Sequence, residues 1–266
     1  MTHACNHDMR IVVTTPLRPK GDHVARAREM APWFGASFEP RRGRSIAQLL
    51  EHVDAVVVVA DPAVIHVRGA PHPLFFHPSM AYQRLRRLQT GEPDRLLALA
   101  EIAPGDAVID ATLGLGTDAL VFAEAVGQEG RVVGIERSPV MYGLLRAVQI
   151  YGCQAHPREA QLLQRVQLVH GDHAAWLRAQ ADLSADVVYF DPMFRDPVRQ
   201  SVHMQPIRPV AWERPLSREA VEEAKRVARR AVIVKERPKS GVLESLGLEP
   251  DRASGRFAYG VWRRPR

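Results

Sequence analysis

Short apolar runs, separated by polar stretches marked with glycine or proline, recur along the whole chain, and their length and branching give the first reading of the fold. Ile11-Val12-Val13-Thr14-Thr15 and Ala55-Val56-Val57-Val58-Val59-Ala60 are β-branched runs that predict buried strands. The spacing between them predicts helices over Gly21 to about Phe34 and over Ser45 to His52, so Arg10 to about Arg68 reads as a small α/β unit. The proline- and histidine-rich stretch Pro71-His72-Pro73-Leu74-Phe75-Phe76-His77-Pro78 then reads as a connector. The expected organisation is a small N-terminal α/β domain over residues 1–75 and a second domain over 76–266.

Ser79 to about Ala100 predicts one helix with Ser79 at its N-cap, carrying Arg84, Arg86 and Arg87 as a solvated stripe. Beyond it the pattern alternates. Strands are expected at Ala107–Ala111, Arg131–Ile135, Val166–Val169, Asp186–Phe190 and Ala231–Lys235. Helices are expected at Thr117–Ala125, Pro139–Ile150, His173–Gln180 and Ser217–Arg229. Such alternation implies an α/β, doubly wound, mostly parallel sheet with helices on both faces. Gly255–Arg263 alternates with period two and predicts an added antiparallel strand.

Composition narrows the class. A chain of 266 residues with 46% hydrophobic and 25% charged residues has the make-up of a soluble globular protein. No apolar run approaches the roughly 20 residues of a membrane span. The polar start, Met1 to Asp8, does not read as a secretory signal. Cys5 and Cys153 are the only cysteines, which excludes a disulfide framework and suits a reducing cytoplasm. The scattered histidines lack ligand spacing and companion cysteines, so no metal site is expected. Net charge is +6, with 32 arginines against four lysines. Much of that arginine reads as coding bias, but Arg195–Lys239 carries 12 basic and six acidic residues. A basic surface there would suit a polyanion such as RNA.

The chemistry gathers at predicted strand ends. Asp110-Ala111-Thr112-Leu113-Gly114-Leu115-Gly116-Thr117-Asp118-Ala119 is a strand end, a glycine loop and a helix start, in which backbone can approach a ligand closely. Glu136 ends the second strand of the alternating region, where a carboxylate can accept both hydroxyls of a ribose. Asp172, followed by His173, ends the third, where it can receive an adenine amine. Gly114, Gly116 and Ala119 also fit the looser dinucleotide fingerprint of nicotinamide enzymes. Asp110 speaks against that reading, because it would face a pyrophosphate, whereas it suits the ammonium and sulfonium of S-adenosyl-L-methionine. Asp191-Pro192-Met193-Phe194 ends the fourth strand. Its carboxylate and the Pro192 carbonyl can accept the hydrogens of a planar amine, and Phe194 can stack on the attached ring. Met193, Arg195 and Lys235 complete the candidate substrate side. Lys235 reads either as a phosphate contact or as a salt bridge to Glu236 or a neighbour.

From about Ser79 to Arg266 these motifs resemble class I S-adenosylmethionine-dependent methyltransferases. The closer resemblance is to the RsmJ-type guanine-N2 methyltransferases of small-subunit ribosomal RNA and their uncharacterised Gram-positive relatives. Asp110–Ala119, Gly134-Ile135-Glu136-Arg137-Ser138-Pro139 and Val187–Phe194 carry it. The resemblance implies a seven-stranded sheet, S-adenosyl-L-methionine as cofactor, and ribosomal RNA or the small subunit as partner. It also implies cofactor contacts at Thr117, Asp118, Glu136, Arg137 and Asp172, with Asp191 in the active site. The chain departs from that pattern at Thr117, where the RsmJ-type proteins carry arginine, and in Arg195–Gln200, where they are lysine-rich. The competing readings are a methyltransferase acting on DNA or a small amine, and a catalytically silent RNA-binding protein.

Overall fold

The computed structural model describes residues 9–192, 210, 215–251 and 257–265. In chain order the first elements are β1 (Ile11–Thr14), α1 (His23–Met30), β2 (Ser37–Phe38), α2 (Ile46–Leu50), β3 (Ala55–Val58), β4 (Val64–Val67) and β5 (Leu74–Phe75). Next come α3 (Ser79–Gln89), α4 (Arg95–Ala100), β6 (Ala107–Asp110), α5 (Thr117–Ala125), β7 (Arg131–Glu136), α6 (Pro139–Tyr151), α7 (Pro157–Gln164), β8 (Val166–His170) and α8 (His173–Arg178). The last are β9 (Ala185–Phe190), α9 (Arg218–Val227), β10 (Ala228–Glu236), α10 (Val242–Ser245), β11 (Glu249–Pro250) and β12 (Ala258–Arg263).

These elements fall into two compact units. Among the described residues, one contains 9–77 together with Ser138–Gln161, and the other Pro78–Arg137, 162–192, 215–251 and 257–265. The first unit holds a five-stranded sheet in the order β2-β1-β3-β4-β5. β1 runs parallel to β2 and β3, while β4 and β5 return antiparallel. Val12, Val56 and Val58 pack on Leu49 of α2, and α2 starts with a complete capping box between Ser45 and Gln48. The β4–β5 hairpin was not expected: β4 is a short strand at the end of the stretch read as the α/β unit, and β5 is hidden by prolines in the stretch read as a connector.

The second unit is built on a seven-stranded sheet in the order β11-β12-β10-β9-β6-β7-β8. β10, β9, β6, β7 and β8 are parallel, and β12 and β11 add antiparallel at one edge. This is the doubly wound, mostly parallel sheet that the alternation and the resemblance imply. The chain winds outward from β6 through β7 to β8, then returns to set β9 on the other side of β6. The β6/β9 boundary is therefore the topological switch point, where open α/β sheets bind ligands at the strands' carboxyl ends.

Period-two alternation sorts the two faces of this sheet. Ile109, Val133, Ile135, Val188, Phe190 and Val234 point to one face, packed with Val221 and Ala224 of α9 and Leu177 of α8. The register pairs Asp110 with Gly134 and Tyr189, and Tyr189 with Ile233. Two residues on, Glu136, Asp191 and Lys235 therefore lie on the same opposite face, at the carboxyl edge.

Three expectations need correction. The single helix over Ser79–Ala100 is two, because Gly91 takes φ +77° and Pro93 cannot continue a helix; Asp94 then caps α4 by accepting from the Leu96 and Leu97 N–H groups. Ser79 is the first residue of α3 and Pro78 holds the N-cap position. Arg229, assigned to a helix, lies in β10, which starts at Ala228.

Candidate functional site

The loop after β6 is held down by its own backbone. The Thr112 N–H donates to Asp110 Oδ1 at 3.2 Å, and the Leu113 N–H to the Ile135 carbonyl at 3.0 Å. The Gly114 N–H donates to Glu136 Oε2 at 2.8 Å. Gly114 and Gly116 have φ of +57° and +78°, which glycine adopts without strain. A Cβ on Gly134 would sit 2.6 Å from Leu113 Cδ1, so the loop closes over β7 only because that position is glycine. Gly116 is the N-cap of α5, and Thr117 is its first residue.

At the switch point the end of β9 is tied to this loop. The Asp191 N–H donates to Thr112 Oγ1 at 2.5 Å, and the Ala111 N–H to the Tyr189 carbonyl at 2.8 Å. The Asp191 carboxylate takes a hydrogen bond and ion pair from Lys235 Nζ at 2.7 Å, with side chains 28% and 20% exposed. The ammonium also lies 4.9 Å from the centroid of Phe257. Burial pushes the Asp191 carboxyl up to about 6, with Asp118 adding to the rise and Lys235 opposing it. Burial lowers Lys235, but the charge of Asp191 leaves it above the usual lysine value.

Deeper in the unit, Arg84 of α3 pairs with Asp118 of α5 and with Asp94 at 2.7 Å. The Tyr189 hydroxyl also donates to Asp118 Oδ2 at 3.0 Å. Arg84 is 17% exposed and inside this network, not on a solvated stripe, because two carboxylates compensate its burial. Asp110 is buried at 1% exposure. That burial, with the charges of Asp118, Asp191 and Glu136, drives its carboxyl well above the usual range.

At the β7/β8 edge, Asp172 caps α8 by accepting from the Ala175 N–H at 3.0 Å and pairs with Arg137. Burial alone would raise its carboxyl, but the Ala175 N–H, His173 and Arg137 bring it below the usual value. His173 packs edge-on against Phe190, 5.5 Å between centroids, and its burial lowers its imidazole.

Asp110, Thr112, Gly114, Gly116, Thr117, Asp118, Glu136, Asp191, Pro192 and Lys235 thus gather around the carboxyl ends of β6, β7, β9 and β10. Arg137, Asp172 and His173 form a second group at β8. Met193, Phe194 and Arg195 lie outside the described residues. Sequence reasoning missed Arg84, Phe257 and Tyr259, which lie in no motif, and Tyr189, which lies in a motif stretch but was given no role there. The basic stretch also reads differently in the fold. Lys225 pairs with Glu222, Arg226 with Asp182 and Glu223, Arg229 with Asp186, and Arg230 with Asp106. These lie at the end of α9 and the start of β10, the edge of the sheet opposite Asp191. Lys235 is the described basic residue of the stretch that bonds to Asp191, and Arg237 and Lys239 follow it beyond the carboxyl end of β10.

Residues 75–253 match the family described as "Putative SAM-dependent methyltransferase". The chain is 33% identical over 254 residues to the uncharacterized protein YpiP of Bacillus subtilis, covering 94% of this chain and 98% of that protein. It is 39% identical over 139 residues to ribosomal RNA small subunit methyltransferase J of Laribacter hongkongensis, covering 51% and 48% of the two chains. For the protein of the same name from Pseudoalteromonas atlantica the identity is 34% over 197 residues, covering 70% and 71%. Among solved structures, the SAM-dependent methyltransferase NGO1261 from Neisseria gonorrhoeae matches with a TM-score of 0.60 and 18% identity over 95% of both chains, which shows a shared fold.

Proposed function

The chain belongs to the S-adenosylmethionine-dependent methyltransferase family that its residues 75–253 match, and we propose that its acceptor is the exocyclic amine of an RNA base, guanine N2 of small-subunit ribosomal RNA. The observation that carries this reading is the Asp191 carboxylate at the switch point, followed directly by Pro192, on a residue whose backbone N–H is tied to Thr112 Oγ1 of the glycine loop. The names of the J-type relatives support the choice of ribosomal RNA, and work on that substrate belongs in the cytoplasm.

The donor set fits the cofactor. Asp118, Glu136 and Asp191 surround Asp110 and exceed in number the two cations Arg84 and Lys235 that lie with them, an acidic setting that suits a ligand with a sulfonium and an ammonium. In this reading Glu136 takes the ribose hydroxyls and Asp172 the adenine amine. Arg137 and His173 flank Asp172, while Gly114, Gly116 and Thr117 bring backbone close to the ligand. Asp118 is engaged by Arg84 and the Tyr189 hydroxyl, and Asp110 is buried beneath the glycine loop, where its carboxylate accepts from the Thr112 N–H. When bound, S-adenosyl-L-methionine supplies an electrophilic methyl group.

The chain's own residues do the rest. Asp191 and the Pro192 carbonyl accept the two amine hydrogens, which draws the nitrogen lone pair out of the ring and aims it. Alignment of this kind supplies much of a group-transfer rate. The amine gives up one proton as it is alkylated, and the Asp191 carboxylate receives it. Phe194 stacks the base, worth roughly 1–3 kcal/mol, and Met193 and Arg195 complete the acceptor side. Asp191→Ala should abolish methyl transfer while calorimetric cofactor affinity stays within a few-fold. Equal loss of both would move Asp191 to a cofactor role and overturn the reading.

A further inference from the structure

We infer that Lys235 is the positioning residue of the transfer step: its ammonium fixes the Asp191 carboxylate in one orientation and keeps it charged among neighbouring acids. The inference rests on the reading that Asp191 receives the acceptor amine. Phosphate binding, the other role open to a lysine here, would need an ammonium available to substrate. Its Nζ is instead committed at 2.7 Å to Asp191 Oδ2.

Backbone register makes this pairing. Val234 is aligned with Phe190 in the parallel β9–β10 ladder, so Lys235 and Asp191 emerge side by side on one face. On β12, Tyr259 is the aligned partner of Lys235. The ring of Phe257, two residues before it, lies under the ammonium at 4.9 Å to its centroid. Phe257 and Tyr259 brace each other edge-on, 5.4 Å apart. The lysine is thus held by both a carboxylate and an aromatic face, which restricts a side chain that is otherwise highly flexible.

Asp191 needs such a partner because its surroundings favour its neutral form. Asp118 of α5, Asp110 of β6, Tyr189 of its own strand and Tyr259 of β12 face it, with Arg84 of α3 as the second cation. Arg84 is already shared by Asp118 and Asp94. Lys235 is the cation bonded to Asp191 itself. A neutral carboxylic acid would offer a proton toward the amine instead of accepting one from it, and the transfer would stall.

The test is methyl transfer to small-subunit RNA between about pH 5 and about pH 9, with cofactor binding measured in parallel. Lys235→Met is expected to lower kcat roughly 10²-fold near neutrality, to move the acid limb of the profile upward, and to recover toward high pH. The KM for S-adenosyl-L-methionine should change by no more than a few-fold. Lys235→Arg should return the limb to its original place. If Lys235→Met does not bind cofactor, Lys235→Gln, which keeps a hydrogen bond and removes the charge, carries the same expectations. An unmoved limb and undiminished kcat in the charge-free variant, with Asp191→Asn inactive, would overturn the role of Lys235 alone. Full activity in Asp191→Asn would overturn the role of the Asp191 carboxylate on which the inference rests, and no methyl transfer to small-subunit RNA by the unaltered chain would overturn the proposed function itself.

Discussion

At Asp191, burial and nearby acids favour the protonated form, while Lys235 favours the carboxylate. The balance leaves the group near 6. Since the proposed step needs the carboxylate, activity should be full above that value and fall about tenfold per pH unit below it. A kcat profile flat from pH about 5 to about 7 would contradict this assignment. Arg84 offers a second test at this scale. Removing it leaves Asp94 and Asp118 buried without their cation, so Arg84→Met should cost about 3–5 kcal/mol in denaturant unfolding. A loss below ~1 kcal/mol, the range of exposed pairs, would mean that the network is solvent-screened. The acids were legible in the sequence because each follows a predicted strand, and strand ends in such sheets face ligands. Arg84 was not, since a cation on an amphipathic helix looks the same whether it meets water or a carboxylate from elsewhere in the chain.

Among the elements, strands and helices with long apolar runs were readable from spacing, and α5 agrees with its expected span, Thr117–Ala125. What escaped depended on tertiary partners: the short β4 and β5, α7, and the break between α3 and α4. The glycine loop shows how one element shapes the next. Leu113, 3% exposed, lies against the Cα of Gly134, so Gly134→Ala forces the loop off β7. We expect about 1–3 kcal/mol of destabilisation and weaker cofactor binding. The Gly134→Ala Leu113→Ala double variant should be less destabilised than the two single effects combined, because the second change makes room for the first. Strict additivity in the four unfolding curves would rule out that contact as the cause.

For the molecule as a whole, the sheet order brings the scattered acids together at the carboxyl ends of the strands and separates part of the basic stretch from them. A charge count along the chain treats Arg195–Lys239 as one surface, yet the ion-paired arginines at the start of β10 stand at the edge opposite Asp191. Replacing Arg229 and Arg230 with Gln should therefore leave RNA affinity within about two-fold, while each arginine that contacts phosphate lowers the salt slope by about 0.7–0.9 when removed. A steep loss in the Arg229→Gln Arg230→Gln variant would return the footprint to that edge. The most direct test of the proposed methyl transfer is mass-spectrometric mapping of ribosomal RNA from cells lacking this protein. One N2-methylguanosine should vanish from the small-subunit RNA and return with the intact chain but not with Asp191→Ala. A methylation map identical to that of the parent cells would contradict the account.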